Sequence, residues 1–145
     1  MLCRATSFAC NRTAASRSST LDRLCRVELC PIVLSFFKAQ QEEEQSATAT
    51  EMCRVLAVLD DELKRRAGQG PYWFGWQVGL TDIAFYPWFE RWAVLEHYRG
   101  LRIPDHLEAL HGWIEAMQGR EAVRLGSEPA AYYITEYIDY AADRK

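Results

Sequence analysis

The chain has 145 residues, the size of one domain, and its 49% hydrophobic content is enough to bury a core. A net charge of −3 argues against bulk nucleic-acid binding, and no apolar run approaches the ~18 residues of a membrane span, so neither nucleic acid nor membrane is an expected partner. The five cysteines form no C-x-x-C pair and the three histidines lie far from them, so no metal site is expected and the thiols read as reduced.

The first stretch, MLCRATSFACNRTAASRSSTL, contains no acid, and Arg4, Arg12 and Arg17 are scattered among serines, threonines and alanines. This composition resembles an organelle transit peptide, and it equally suits a disordered leader. Residues 1–20 are therefore expected to be a leader and residues 21–145 the folded domain. The location is expected to be cytoplasmic, or a chloroplast or mitochondrion if the leader is an address.

From Leu21 the pattern turns helical. Leu21, Leu24, Cys25, Leu29, Ile32, Val33, Phe36 and Phe37 recur at helical spacing. Thr20 can cap this helix, and Pro31 is expected to bend it. QQEEEQS reads as a solvated helix end or loop. A second helix is expected from Thr48 to Ala67, with Met52, Val55, Leu56, Leu59 and Leu63 inward and Asp60, Asp61, Lys64 and Arg65 mostly outward. GQGP stops it, and YWFG follows as a short apolar connection.

A third helix is expected from Gly79 to Tyr98, a fourth from Pro104 to Gln118, a short fifth at GREAVR and a last one from Ala130 to Ala142. Alternation never persists over five residues, so the fold class is all-α, a bundle of about six helices.

One residue in this pattern needs a partner. Asp82 lies in GLTDIAFYPWFER, an apolar and aromatic string, and burying an unpaired carboxylate costs several kcal/mol. With Gly79 as N-cap, Asp82 is the third helical residue, where its side chain can reach back to the N-cap N–H and face the positive helix end. Val78 and Ile83 stand where a hydrophobic staple would close over that turn. Thr81 as cap would put Ala84 at the third position, so Gly79 is preferred.

A capped aspartate opening a buried helix after YWFG resembles the C-terminal helical domain of glutathione transferases. PWFER is most similar to the omega class, with the lambda class close behind. CPIVLSFFKAQQEEE resembles that domain's first helix, and LEALHGWIEAMQGREAVR the two helices after the core one. The resemblance spans Leu21 to Tyr140.

It implies a family in which glutathione is the co-substrate and a thioredoxin-like domain of about eighty residues binds it and carries the catalytic residue. Only about twenty residues precede the first helix here, without strands. The resemblance therefore implies no catalytic residue in this chain, no glutathione bound by it alone, and a truncated, inactive transferase.

Cys30-Pro31 looks like the omega nucleophile motif, but it lies in a helical stripe rather than after a strand, so Cys30 reads as a core cysteine. The resemblance also implies that Trp88 and Arg91 line the second-substrate site, with Tyr132 near the last helix. An aromatic plate beside a guanidinium suits a small planar or hydrophobic electrophile. Against this stands Trp88 as a core residue with Arg91 paired to Glu90 or Glu115. Expected partners are a second copy of the chain or another protein. The competing function is a stand-alone helical protein-interaction module, and a third is a single-domain enzyme working through Cys30.

Overall fold

The computed structural model describes residues 28–66 and 69–142, and the expectations placed on the leader, on Thr20 and on Leu21, Leu24 and Cys25 lie outside them. Among the described residues there are eight helices and no strand, beyond an isolated antiparallel bridge between Tyr72 and Gly75. The helices are α1 (Cys30–Lys38), α2 (Glu42–Lys64), α3 (Leu80–Glu90), α4 (Trp92–Arg99), α5 (Glu108–Gln118), α6 (Glu121–Gly126), α7 (Ala130–Glu136) and α8 (Ile138–Ala141). None is long and apolar enough to cross a membrane.

The long helix α2 begins at Glu42 rather than Thr48. Glu42, Glu43 and Glu44 fill its first turn, where carboxylates meet the positive end of the helix dipole. Thr48 lies inside the helix, where its Oγ1 donates to the Glu44 carbonyl at 2.7 Å. Pro31 stands in the first turn of α1, directly after a wider π turn at 28–29.

Two helices expected to be continuous are broken. The stretch from Gly79 splits at Arg91, whose φ of −93° and ψ of 8° leave the α-helical region. Pro87 supplies no N–H, and its own carbonyl accepts the Arg91 side chain at 2.9 Å. The last stretch breaks in the same way at Tyr137, with φ −95° and ψ 5°. These two breaks account for the helices beyond the six expected.

Packing follows the apolar stripes. Met52, Val55, Leu56, Leu59 and Leu63 of α2 are buried against α1 on one side and α5 on the other, where Leu110, Trp113, Ile114 and Met117 face them. Leu107 is buried just ahead of α5. Helix α3 packs on α5, and the terminal pair α7 and α8 lies across α4 and α1.

Asp60 departs from the outward position expected of it. It is 1% exposed, and its Oδ1 accepts the Leu110 N–H at 2.9 Å while Oδ2 meets Lys64 Nζ at 2.6 Å. Leu110 is the third residue of α5, one of the helix's N-terminal donors without an intrahelical acceptor. A side chain of α2 thus caps the helix that α2 packs against. Burial alone would push this carboxyl up, but Lys64 and the α5 N–H groups outweigh it and hold it below its ordinary range.

Candidate functional site

The site is held by a buried node at the start of α3. Gly79 takes an extended conformation, and its N–H donates to Asp82 Oδ2 at 2.8 Å. The other carboxylate oxygen accepts the Trp73 N–H at 3.1 Å and the Trp113 Nε1–H at 2.8 Å. Asp82, wholly buried, therefore joins three segments: the connection before α3, α3 itself and α5. Trp113 continues edge-on into Phe89 at 5.3 Å, and Phe89 stacks on Trp92 at 5.6 Å.

Asp82, Phe85, Tyr86 and Phe89 follow i, i+3, i+4, i+7 spacing and form the inward face of α3. That periodicity turns Ile83 outward. Ile83 is 56% exposed while Val78 is half-buried against the core, so the expected closure over the turn lacks a buried Ile83.

Inward rotation at one end of α3 leaves Trp88 and Arg91 at its other end, on one side. They line a cavity of about 370 Å3. Its first wall is α1, with Val33, Leu34, Phe37 and Lys38. Its floor is Trp88 and Arg91 with Val94 and Leu95 of α4. The opposite wall is the terminal pair, through Glu136, Tyr137 and Tyr140. Most of this lining is apolar or aromatic, with the cations Lys38 and Arg91 and the acid Glu136 among it, a composition that suits a flat apolar ligand carrying an anionic group.

Arg91 pairs with neither Glu90 nor Glu115 in the bonds it forms. Its guanidinium donates to the Pro87 carbonyl and lies over the Tyr133 ring, 5.1 Å from its centroid. Tyr133 in turn donates its hydroxyl to Glu90 Oε1 at 2.8 Å and accepts the Glu128 N–H at 3.3 Å. Burial, followed by the bond to Glu90, pushes the Tyr133 phenol above its ordinary pKa. Trp88 is half-buried: it packs against the core and presents the rest of its ring to the cavity.

Tyr132 lies apart from this pair. It is 49% exposed and does not line the cavity with Trp88 and Arg91. The inward register of the C-terminal helices runs through Tyr133, and the cavity's own tyrosines are Tyr137 and Tyr140, at i+4 and i+7 from it. That spacing is legible in AYYITEYIDY. The contribution of α1 had no such signal, because Phe37 and Lys38 reach the site by tertiary packing. Cys30 opens α1, half-buried against the core and preceded by the π turn rather than a strand, and it does not line the cavity. No group of three or more metal-ligating side chains occurs among the described residues.

This is an all-helical domain with a ligand-sized cavity between its core helix and its terminal helices. A family model described as Glutathione S-transferase, C-terminal domain matches residues 48–116. The chain carries a glutathione transferase C-terminal domain.

Among curated relatives it is 31% identical to Glutathione S-transferase U19 of Arabidopsis thaliana over 103 residues, 69% of this chain and 43% of that protein. It is 28% identical to Probable glutathione S-transferase DHAR1, cytosolic, of Oryza sativa subsp. japonica over 61% of this chain and 39% of that one. The chain thus spans less than half the length of the curated relatives it matches.

Among solved structures, glutathione transferase Omega 3C from Trametes versicolor superposes with a TM-score of 0.66 at 27% identity, over 89% of this chain and 54% of that one. The trimeric glutathione transferase TDR1 of Leishmania shares the fold, with a TM-score of 0.67 at 17% identity over 90% of this chain and 29% of that one.

Proposed function

We propose that the cavity is the electrophile side of an omega-like glutathione transferase, and that these 145 residues do not turn over glutathione by themselves. The observation that carries this reading is the joint lining of one apolar cavity by Trp88 and Arg91, on the segment PWFER. The 27% identity to an omega-class structure supports the class.

In the reactions of this family a glutathione thiolate adds to the activated double bond of an electrophile or displaces its leaving group, or it attacks a disulfide and releases the other sulfur as a thiolate. The rate depends on holding sulfur and electrophile together and on activating the sulfur. The cavity supplies the electrophile half. Trp88, Phe37, Tyr137 and Tyr140 would bury a flat apolar body, and Arg91 and Lys38 would hold an anionic substituent. Glutathione is the co-substrate, held by the glutathione-side domain of the family. A cytoplasmic location and assembly into homodimers belong to the same reading.

Trp76, Leu80 and Ile83 are apolar and exposed, which also fits a second reading, a protein-interaction module. One set of measurements separates the readings. The purified chain is titrated with glutathione by calorimetry and with 8-anilino-1-naphthalenesulfonate by fluorescence. It is then assayed for conjugation, dehydroascorbate reduction and mixed-disulfide exchange.

No glutathione binding, no turnover, and anion binding weakened about tenfold by Trp88→Ala or Arg91→Ala is the expected result. Anion binding indifferent to both substitutions would favour the interaction module. Glutathione-dependent turnover that vanishes in Cys30→Ser would make Cys30 the nucleophile and overturn the reading.

A further inference from the structure

Arg99, the last residue of α4, does not line the cavity, yet its guanidinium joins the two walls that do. Nη2 donates to the Phe37 carbonyl at 2.5 Å and to the Ala141 carbonyl at 2.8 Å. Nε donates to the Phe36 carbonyl at 3.3 Å and Nη1 to the Tyr98 carbonyl at 3.2 Å. Phe36 and Phe37 lie in the last turn of α1, and Ala141 ends α8. Such C-terminal carbonyls have no partner within their own helix.

One planar fork thus satisfies acceptors on both walls and fixes their separation, which a lysine, a single point charge, cannot do. Between the walls, Phe37 meets Tyr137 edge-on at 5.6 Å. Gln40 Nε2 also donates to the Ala141 carbonyl, at 3.1 Å, so α8 keeps a second tie when Arg99 is replaced.

We propose that Arg99 is a positioning residue that sets the width of the cavity, and thereby which aromatic ligands it admits. The proposal rests on the reading of the cavity as a ligand site. Without the fork the wall formed by Tyr137 and Tyr140 moves more freely. A narrow ligand then loses its contact with one wall, while a wide one still spans both.

The test compares two anions, benzenesulfonate and 8-anilino-1-naphthalenesulfonate, on the unsubstituted chain, Arg99→Ala and Arg99→Lys. Amide exchange is followed over residues 130–142. Both variants are expected to weaken benzenesulfonate about tenfold and the wider anion less than about twofold. Exchange across α7 and α8 should rise about tenfold while α2 and α5 keep their protection. Millimolar ethylguanidinium should restore the selectivity of Arg99→Ala but not of Arg99→Lys.

Faster exchange with an unchanged affinity ratio would make Arg99 merely structural and overturn the proposal, as would unchanged exchange. If the unsubstituted chain binds neither anion, the reading of the cavity falls and the proposal with it. If it binds both in a Trp88-dependent way while the ratio holds in the variants, only the role of Arg99 falls.

Discussion

Asp82 and Asp60 are both buried carboxylates, satisfied in different ways. Asp82 accepts three N–H groups, two of them indole and backbone donors from outside its own helix. Asp82→Ala would leave three donors without an acceptor, and at about 1–3 kcal/mol for each buried orphan the loss is expected to be ~3 kcal/mol or more. Asp82→Asn keeps one carbonyl oxygen, enough for the two tryptophan donors, but sets an amide nitrogen against Gly79, so it should recover about half. Urea melts of the three proteins decide this, and an unchanged midpoint for the alanine variant would refute the node.

Asp60 has a charged neighbour in Lys64, and its folded pKa lies below the ordinary carboxylate value. Its contribution is then fully present above the unfolded pKa of about 4 and is lost as pH falls through the folded value. Asp60→Asn should destabilise at neutral pH and flatten the acid side of the stability curve. Lys64 is half exposed, so much of the ion-pair part is screened, and the α5 N–H groups supply the less screened part of the effect. Urea midpoints measured from neutral pH downward with unaltered slope would contradict this.

Among elements, the connection between α2 and α3 is the least forgiving. Tyr72 and Gly75 exchange backbone hydrogen bonds at 3.2 and 3.3 Å, and the tight turn between them aims the Trp73 N–H at Asp82. Gly70 holds a φ of 122°, and a Cβ there would lie 2.2 Å from the Gly75 backbone carbon. Gly70→Ala is expected to cost about 2 kcal/mol or more, through backbone strain and displacement of the turn. Gly100 caps α4 at a φ of 67° with no atom near its added Cβ, so Gly100→Ala should cost only about 1 kcal/mol. Thermal melts showing equal losses for both would mean that the close approach at Gly75 relaxes at little cost.

At the scale of the molecule, the face around the start of α3 has no partner among the described residues. Trp76 is 77% and Leu80 84% exposed, and Ile83 lies one turn along the same side as Leu80. Exposed apolar side chains of this size favour association. The purified chain is expected to form dimers or larger species at micromolar concentration, and Trp76→Ser with Leu80→Ser to shift it toward monomer. Light scattering that finds a clean monomer without dye binding would count against an uncovered interface.

The all-α class, the helical stripes of α2 and α5 and the local bond from Asp82 to its N-cap were legible in the sequence. Each depends on residues three or four apart, and such spacing specifies a helix face whatever surrounds it. The breaks at Arg91 and Tyr137 were not legible, because leaving the helical ladder there depends on what the freed groups meet in space. The inward turn of Asp60 escaped the sequence for a related reason: an aspartate beside Asp61, Lys64 and Arg65 reads as solvated until an orphan helix terminus from a distant segment is brought against it. For the cavity, sequence alone aligned Trp88 with Arg91. Only the packing of α1 and of the terminal pair against α4 chose Tyr137 and Tyr140 over Tyr132 and made Arg99 the link between the walls, since contacts across many residues are set by burial and not by spacing.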